Sequence, residues 1–92
     1  MIPVLVDGVA VDYQGLPVRY RDTVQMYVEH GLSPGTGWSL VFANELSAVA
    51  YCDYEMVKDL PRIWNWIHNQ APSGCHGNAL KIGAWMRARR AQ

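Results

Sequence analysis

The chain has 92 residues, half of them apolar and 17% charged, a composition that excludes a disordered segment and leaves room for one core. Eight basic and eight acidic side chains cancel to a formal net charge of zero, which argues against general nucleic-acid binding, since that needs a net basic face. No cationic, apolar leader opens the sequence and no apolar run approaches the roughly 20 residues of a membrane helix, so a cytoplasmic location away from any membrane is expected, with Cys52 and Cys75 as free thiols.

The first predicted element is a β-hairpin. Ile2 to Val6 and Val9 to Val11 are β-favouring runs, and the Asp7-Gly8 pair between them suits a type I′ turn, which needs positive φ at both central residues. A two-stranded hairpin is marginal alone and must pack on the rest of the chain or on a neighbouring subunit. Asp12 to Leu16 reads as a connector. From Pro17 to His30, Tyr20, Val24, Tyr27 and Val28 recur at helical spacing; Pro17 fits the first turn, and Gly31 fits the left-handed position that ends the helix.

After the turn at Gly31 to Gly35, a second helix is expected from near Thr36, whose hydroxyl would cap it, with Trp38, Val41, Phe42, Leu46 and Val49 turned inward. A short helical turn follows from Asp53. The next helix is predicted from Asp59 or Leu60 to about Asn69, capped by Asp59 with Pro61 just inside, and with Val57, Leu60, Ile63, Trp64 and Ile67 as its apolar stripe. Trp64 and Trp66 stand two apart and cannot share one core face, so Trp66, Tyr51 or Tyr54 is expected to be exposed. Ala71 to Gly77 is a second turn-rich loop. Asn78 can cap a last helix that turns Ile82, Trp85 and Met86 inward and ends in the cationic run Arg87-Ala88-Arg89-Arg90, which complements the helix dipole. The expectation is a mainly α, single-domain bundle of four to five helices over residues 17–91, with residues 1–13 as a hairpin appendage.

Two loops lead into predicted helix starts, Ser33-Pro34-Gly35-Thr36-Gly37 and Ser73-Gly74-Cys75-His76-Gly77-Asn78. Unpaired N–H groups there suit phosphate or carboxylate, although neither loop matches a nucleotide-binding fingerprint and ordinary capping accounts for the same residues. The candidate ligand-binding residues are Ser33, Gly35, Thr36, Trp38, Asn44, Asn69, Ser73, His76 and Asn78, the asparagines being able to read an amide-like or base edge. Metal-ligand pairs are absent: Cys75 and His76 are adjacent, and Cys52 and His68 lie far off in sequence, so no metal or cofactor is expected. A nucleophile with a positioned base is not legible either, and no catalytic residue is assigned.

From Tyr27 onward the chain resembles a family of small uncharacterised proteins encoded by bacteriophages and prophages. The resemblance rests on Tyr27-Val28-Glu29-His30-Gly31, Pro34-Gly35, Asn44-Glu45-Leu46, Asp53, the run Asn69 to Gly77, and Trp85. It covers about the last two-thirds of the chain and leaves out the hairpin. The family pattern would have Asp at Glu45, an aromatic at His76 and a more aliphatic stretch at Gly37-Trp38-Ser39.

The resemblance implies a phage or prophage accessory protein without implying a reaction. Together with small size, four Trp and five Tyr, and the self-association common in chains this short, it leads to one expectation first. That is a homo-oligomeric, non-catalytic counter-defence protein that sequesters a nucleotide immune signal. The alternatives are an inhibitor or adaptor that binds a host defence protein in the manner of an anti-CRISPR, and a small phage hydrolase dependent on Cys75 or His76.

Overall fold

The computed structural model describes residues 4–6, 8–45, 47–49 and 54–91. Strands β1 (Val4–Val6) and β2 (Val9–Val11) pair antiparallel with Val4 opposite Val11 and Val6 opposite Val9. Alternation sorts their faces: Val6 and Val11 are buried, whereas Leu5 is 73% exposed. Gly8 holds φ 80° in the tight turn, as the Asp-Gly signal requires, with Asp7 itself outside the described residues. The buried valines join the same apolar cluster as the helices, so the hairpin packs on the helical core as expected.

A 3-10 turn, Tyr13–Gly15, follows, capped by Asp12, whose Oδ1 accepts from Gln14 N at 2.9 Å. Helix α1 (Val18–His30) buries Val24, Tyr27 and Val28; Pro17 stands at its N-cap instead of inside its first turn. Gly31 ends α1 in the left-handed region at φ 72°, and its N–H returns to Tyr27 O at 3.0 Å. Helix α2 (Thr36–Phe42) buries Trp38, Val41 and Phe42. It starts from Gly35 with no side-chain cap, so the expected Thr36 cap does not form. It also stops early. Asn44 takes φ 65°, a conformation incompatible with continuing a helix, and residues 47–49 form a separate helical piece in which Val49 is fully buried. Leu46 lies outside the described residues, as do Tyr51, Cys52 and Asp53.

Helix α3 (Tyr54–Val57) is one turn, and α4 (Leu60–Gln70) carries Pro61 in its first turn. Asp59 precedes α4 without capping it; its carboxylate instead pairs with the Arg19 guanidinium and accepts from the Tyr20 hydroxyl at 3.3 Å. The apolar face of α4 is Ile63, Trp66 and Ile67. Trp66 is therefore inside, at 2% exposure, and Trp64 is the half-buried ring, packed edge-on against His68 at 4.7 Å. Of the three rings of which one is expected to be exposed, Trp66 is not, because it lies three residues from Ile63 and next to Ile67 and its N–H finds a partly buried partner; Tyr51 and the Tyr54 side chain lie outside the described residues.

A second 3-10 turn, Ser73–Cys75, leads through Gly77 into α5 (Ala79–Arg90). Asn78 caps α5 as expected, its Oδ1 accepting from Lys81 N at 2.9 Å. Ile82 and Trp85 are buried and Met86 is half-buried against the core. Trp85 Nε1 donates to Val28 O at 3.1 Å, which ties α5 to the end of α1. Tyr27 closes the centre, its hydroxyl donating to Cys75 O at 2.6 Å and its ring 4.7 Å from Phe42. The molecule is thus a small, mainly helical domain with a short N-terminal antiparallel hairpin.

Candidate functional site

The two loops lie at opposite ends of α2. Ser33, Gly35 and Thr36 stand exposed at its N-terminal end, where Ser33 Oγ accepts from Gly35 N at 3.4 Å. The Ser73 to Asn78 loop is fastened to the other end, with Gly77 N donating to Phe42 O at 2.7 Å. Seven helical residues separate the two, a rise of about 10 Å. Asn44, exposed just after α2, lies on the side of the second loop, and Ser73 and Asn78 are exposed within that loop. Asn78 is occupied as a cap. Trp38 belongs to the core at 5% exposure, edge-on to Tyr20 at 5.3 Å, and its indole Nε1 is buried without a hydrogen-bond partner. Of the nine candidate residues, only Asn69 lines the cleft described next.

This cleft, of about 160 Å³, opens between the Tyr13–Gly15 turn and the polar side of α4, lined by Asp12, Gly15, Arg62, Asn65, Asn69 and Gln70 with Trp66 at its base. Its walls are held by three contacts across it. Trp66 Nε1 donates to Asp12 O at 2.7 Å while its ring stacks on Tyr13 with centroids 5.7 Å apart, and Asp12 N donates to Gln70 Oε1 at 3.3 Å. Arg62 reaches over the rim to Gly15 O at 3.4 Å. Asn69 Nδ2 donates to both Asn65 O and Asn65 Oδ1 at 2.8 Å. Those bonds leave the Asn65 and Gln70 amide nitrogens and the Asn69 amide oxygen unused, in a lining that also brings one guanidinium and one carboxylate.

Asp12 and Gly15 were hidden in a stretch that reads as a connector. Arg62, Asn65 and Asn69, by contrast, stand at i, i+3 and i+7, a polar stripe on one side of α4 that the sequence displays. Following that stripe would have found the cleft's outer wall.

Cys75 is fully buried, and burial pushes its thiol up to about 12, so it holds its proton at neutral pH. Burial, then the neighbouring His68 and Lys81, lowers the pKa of half-buried His76. Tyr13 and Glu29 bring another buried polar pair together: the phenol's pKa is raised by its own burial first and by the carboxylate second. Tyr13 Oη and Glu29 Oε2 nevertheless form no hydrogen bond of standard geometry. No group of three or more metal-ligating side chains occurs among the described residues, and none of their helices is long and apolar enough to cross a membrane. Comparison with protein-family models, curated proteins and solved structures found no match to this chain.

Proposed function

We propose that the chain is a non-catalytic binding protein that engages one polar edge of a nucleotide-type ligand in the cleft between the Tyr13–Gly15 turn and α4. This is the role expected of a phage or prophage counter-defence protein that sequesters an immune signal in the host cytoplasm. The observation that carries it is the Arg62, Asn65, Asn69 and Gln70 array, which sets amide donors and an amide acceptor beside a guanidinium. A heterocyclic base edge and an adjoining phosphate need that combination.

The cleft's volume limits how this works. At about 160 Å³ it falls short of the roughly 300 Å³ at which pockets begin to enclose drug-sized molecules. Sequestration therefore calls for a second copy to cover the exposed part of the ligand, and a homo-oligomer belongs to the proposal. The same shortfall favours a second reading, an inhibitor or adaptor of a host defence protein, because a cleft this size admits a single side chain of a partner's loop.

Native mass spectrometry of the protein with a panel of cyclic nucleotides and ADP-ribose-type signals decides between them. The expected result is an oligomer carrying intact ligand at fixed stoichiometry, with Arg62→Ala and Asn69→Ala each weakening binding by about tenfold. Both side chains are exposed, so the helical circular dichroism should stay unchanged. A protein that binds none of the panel sinks the nucleotide reading and leaves the protein partner; conversion of the ligand sinks both.

A further inference from the structure

The outer face of α5 supplies none of the cleft's lining and no part of the core. Of the chain's eight cationic residues, four (Lys81, Arg87, Arg89 and Arg90) fall on this one helix, which carries no acidic residue. Arg89 turns inward, its guanidinium 4.4 Å from the Trp85 ring. The other three are exposed and, among the described residues, form no ion pair. Neutralising the helix dipole accounts for cations in the last turn, but not for the absence of acids along the helix, nor for what lies between the cations.

Between them runs a low apolar strip. Leu80 is 84% exposed, the most exposed large hydrophobic side chain among the described residues, and Ala84 and Ala88 follow it at helical spacing on the same side. Arg87 borders this strip. A Cβ placed on Gly83 would stand 3.3 Å from Arg87 Nη1, so the guanidinium lies folded back over Gly83, on the flank of the strip away from Ala84 and Ala88. The face is therefore an apolar strip with Arg87 and Arg90 along one flank and Lys81 on the other, about 18 Å long over the helix's 12 residues.

We propose that this face of α5 docks an acidic amphipathic helix of a partner protein, with the partner's apolar stripe on Leu80, Ala84 and Ala88 and its flanking carboxylates on Lys81, Arg87 and Arg90. Charge selects this occupant. A second copy of the chain would oppose cations with cations, and a phosphate backbone would use the cations and leave Leu80 in water. An amphipathic acidic helix satisfies both halves of the pattern, as helix-in-groove recognition does elsewhere.

The test uses the full chain and a fluorescently labelled synthetic peptide of about 18 residues, with leucines at helical spacing flanked by glutamates. A scrambled peptide of the same composition and a short DNA duplex serve as comparators in fluorescence anisotropy. The amphipathic peptide should bind about tenfold more tightly than the scrambled one, and Leu80→Glu and Arg87→Glu should each weaken it by about tenfold. Both variants alter exposed positions and should keep the parent's circular dichroism. Equal binding of the two peptides, preference for the duplex, no binding, or a full-strength complex with Leu80→Glu would each overturn the proposal. Arg62→Ala, which tests the cleft, should leave this binding unchanged, so failure at one site is distinguishable from failure at the other.

Discussion

Gly31 carries two constraints at once, and neither concerns a side chain of its own. Its φ of 72° is left-handed, and a Cβ built there would stand 2.6 Å from Met86 O and 2.7 Å from the Arg89 Cβ. The first constraint ends α1; the second lets α5 approach the end of α1 closely enough for Trp85 Nε1 to reach Val28 O. Gly31→Ala should therefore cost more than a simple left-handed alanine. The expected loss is about 2–3 kcal/mol, adding strained backbone to a displaced α5, read as a lower urea midpoint at unchanged slope. A loss below about 1 kcal/mol would mean that α5 shifts freely and that the close approach is unimportant. Only half of this is legible in sequence. A glycine after an amphipathic run announces the helix end, whereas the crowding by α5 depends on a contact more than fifty positions away.

At the scale of elements, local signals succeed where the deciding partner is close in sequence. Asn78 is such a case: its side chain caps α5 through Lys81 N, three residues on. Asn78→Ala should destabilise the protein by about 1 kcal/mol, and Asn78→Ser or Asn78→Asp should restore most of it. If the alanine variant unfolds at the parent's urea midpoint, the cap contributes nothing. Thr36 and Asp59 have equally suitable side chains, yet neither caps. Asp59 is drawn to Arg19 and Tyr20 on α1, and Gly35 already occupies the cap position of α2. The same distinction explains the rings of α4. Periodicity allows Trp64 or Trp66 to face inward; the choice is made by Asp12 O and the Tyr13 ring, which belong to a turn some fifty residues earlier. The candidate site follows suit. The polar stripe Arg62, Asn65 and Asn69 is written along one helix, but only the fold places Asp12 and Gly15 opposite it.

Taken as a whole, the molecule has a radius of gyration of 12.3 Å, about that of any compact chain of its length, and this tight packing sets its response to pH. Burial pushes the Cys75 thiol from 9.0 up to about 12, and raises the Tyr13 and Tyr27 phenols above their ordinary value of 10.0. Above pH 9 the unfolded chain releases protons that the native state retains, so stability falls as pH rises, first through the thiol and then through the phenols. His76 works at the other end. Burial, with His68 and Lys81, lowers its pKa below 6.5. Below that pH the unfolded chain gains a proton that the native state resists, and stability falls as pH falls. Together these groups predict a stability plateau between about pH 7 and pH 9. Urea midpoints measured from pH 5 to pH 11 should show it. Cys75→Ala should delay the alkaline decline by about one unit, to where the tyrosines take over, and His76→Gln should flatten the acid side. An alkaline limb of unchanged onset and slope in Cys75→Ala would show that the thiol is not held protonated by the fold, and would reopen Cys75 as a reactive group.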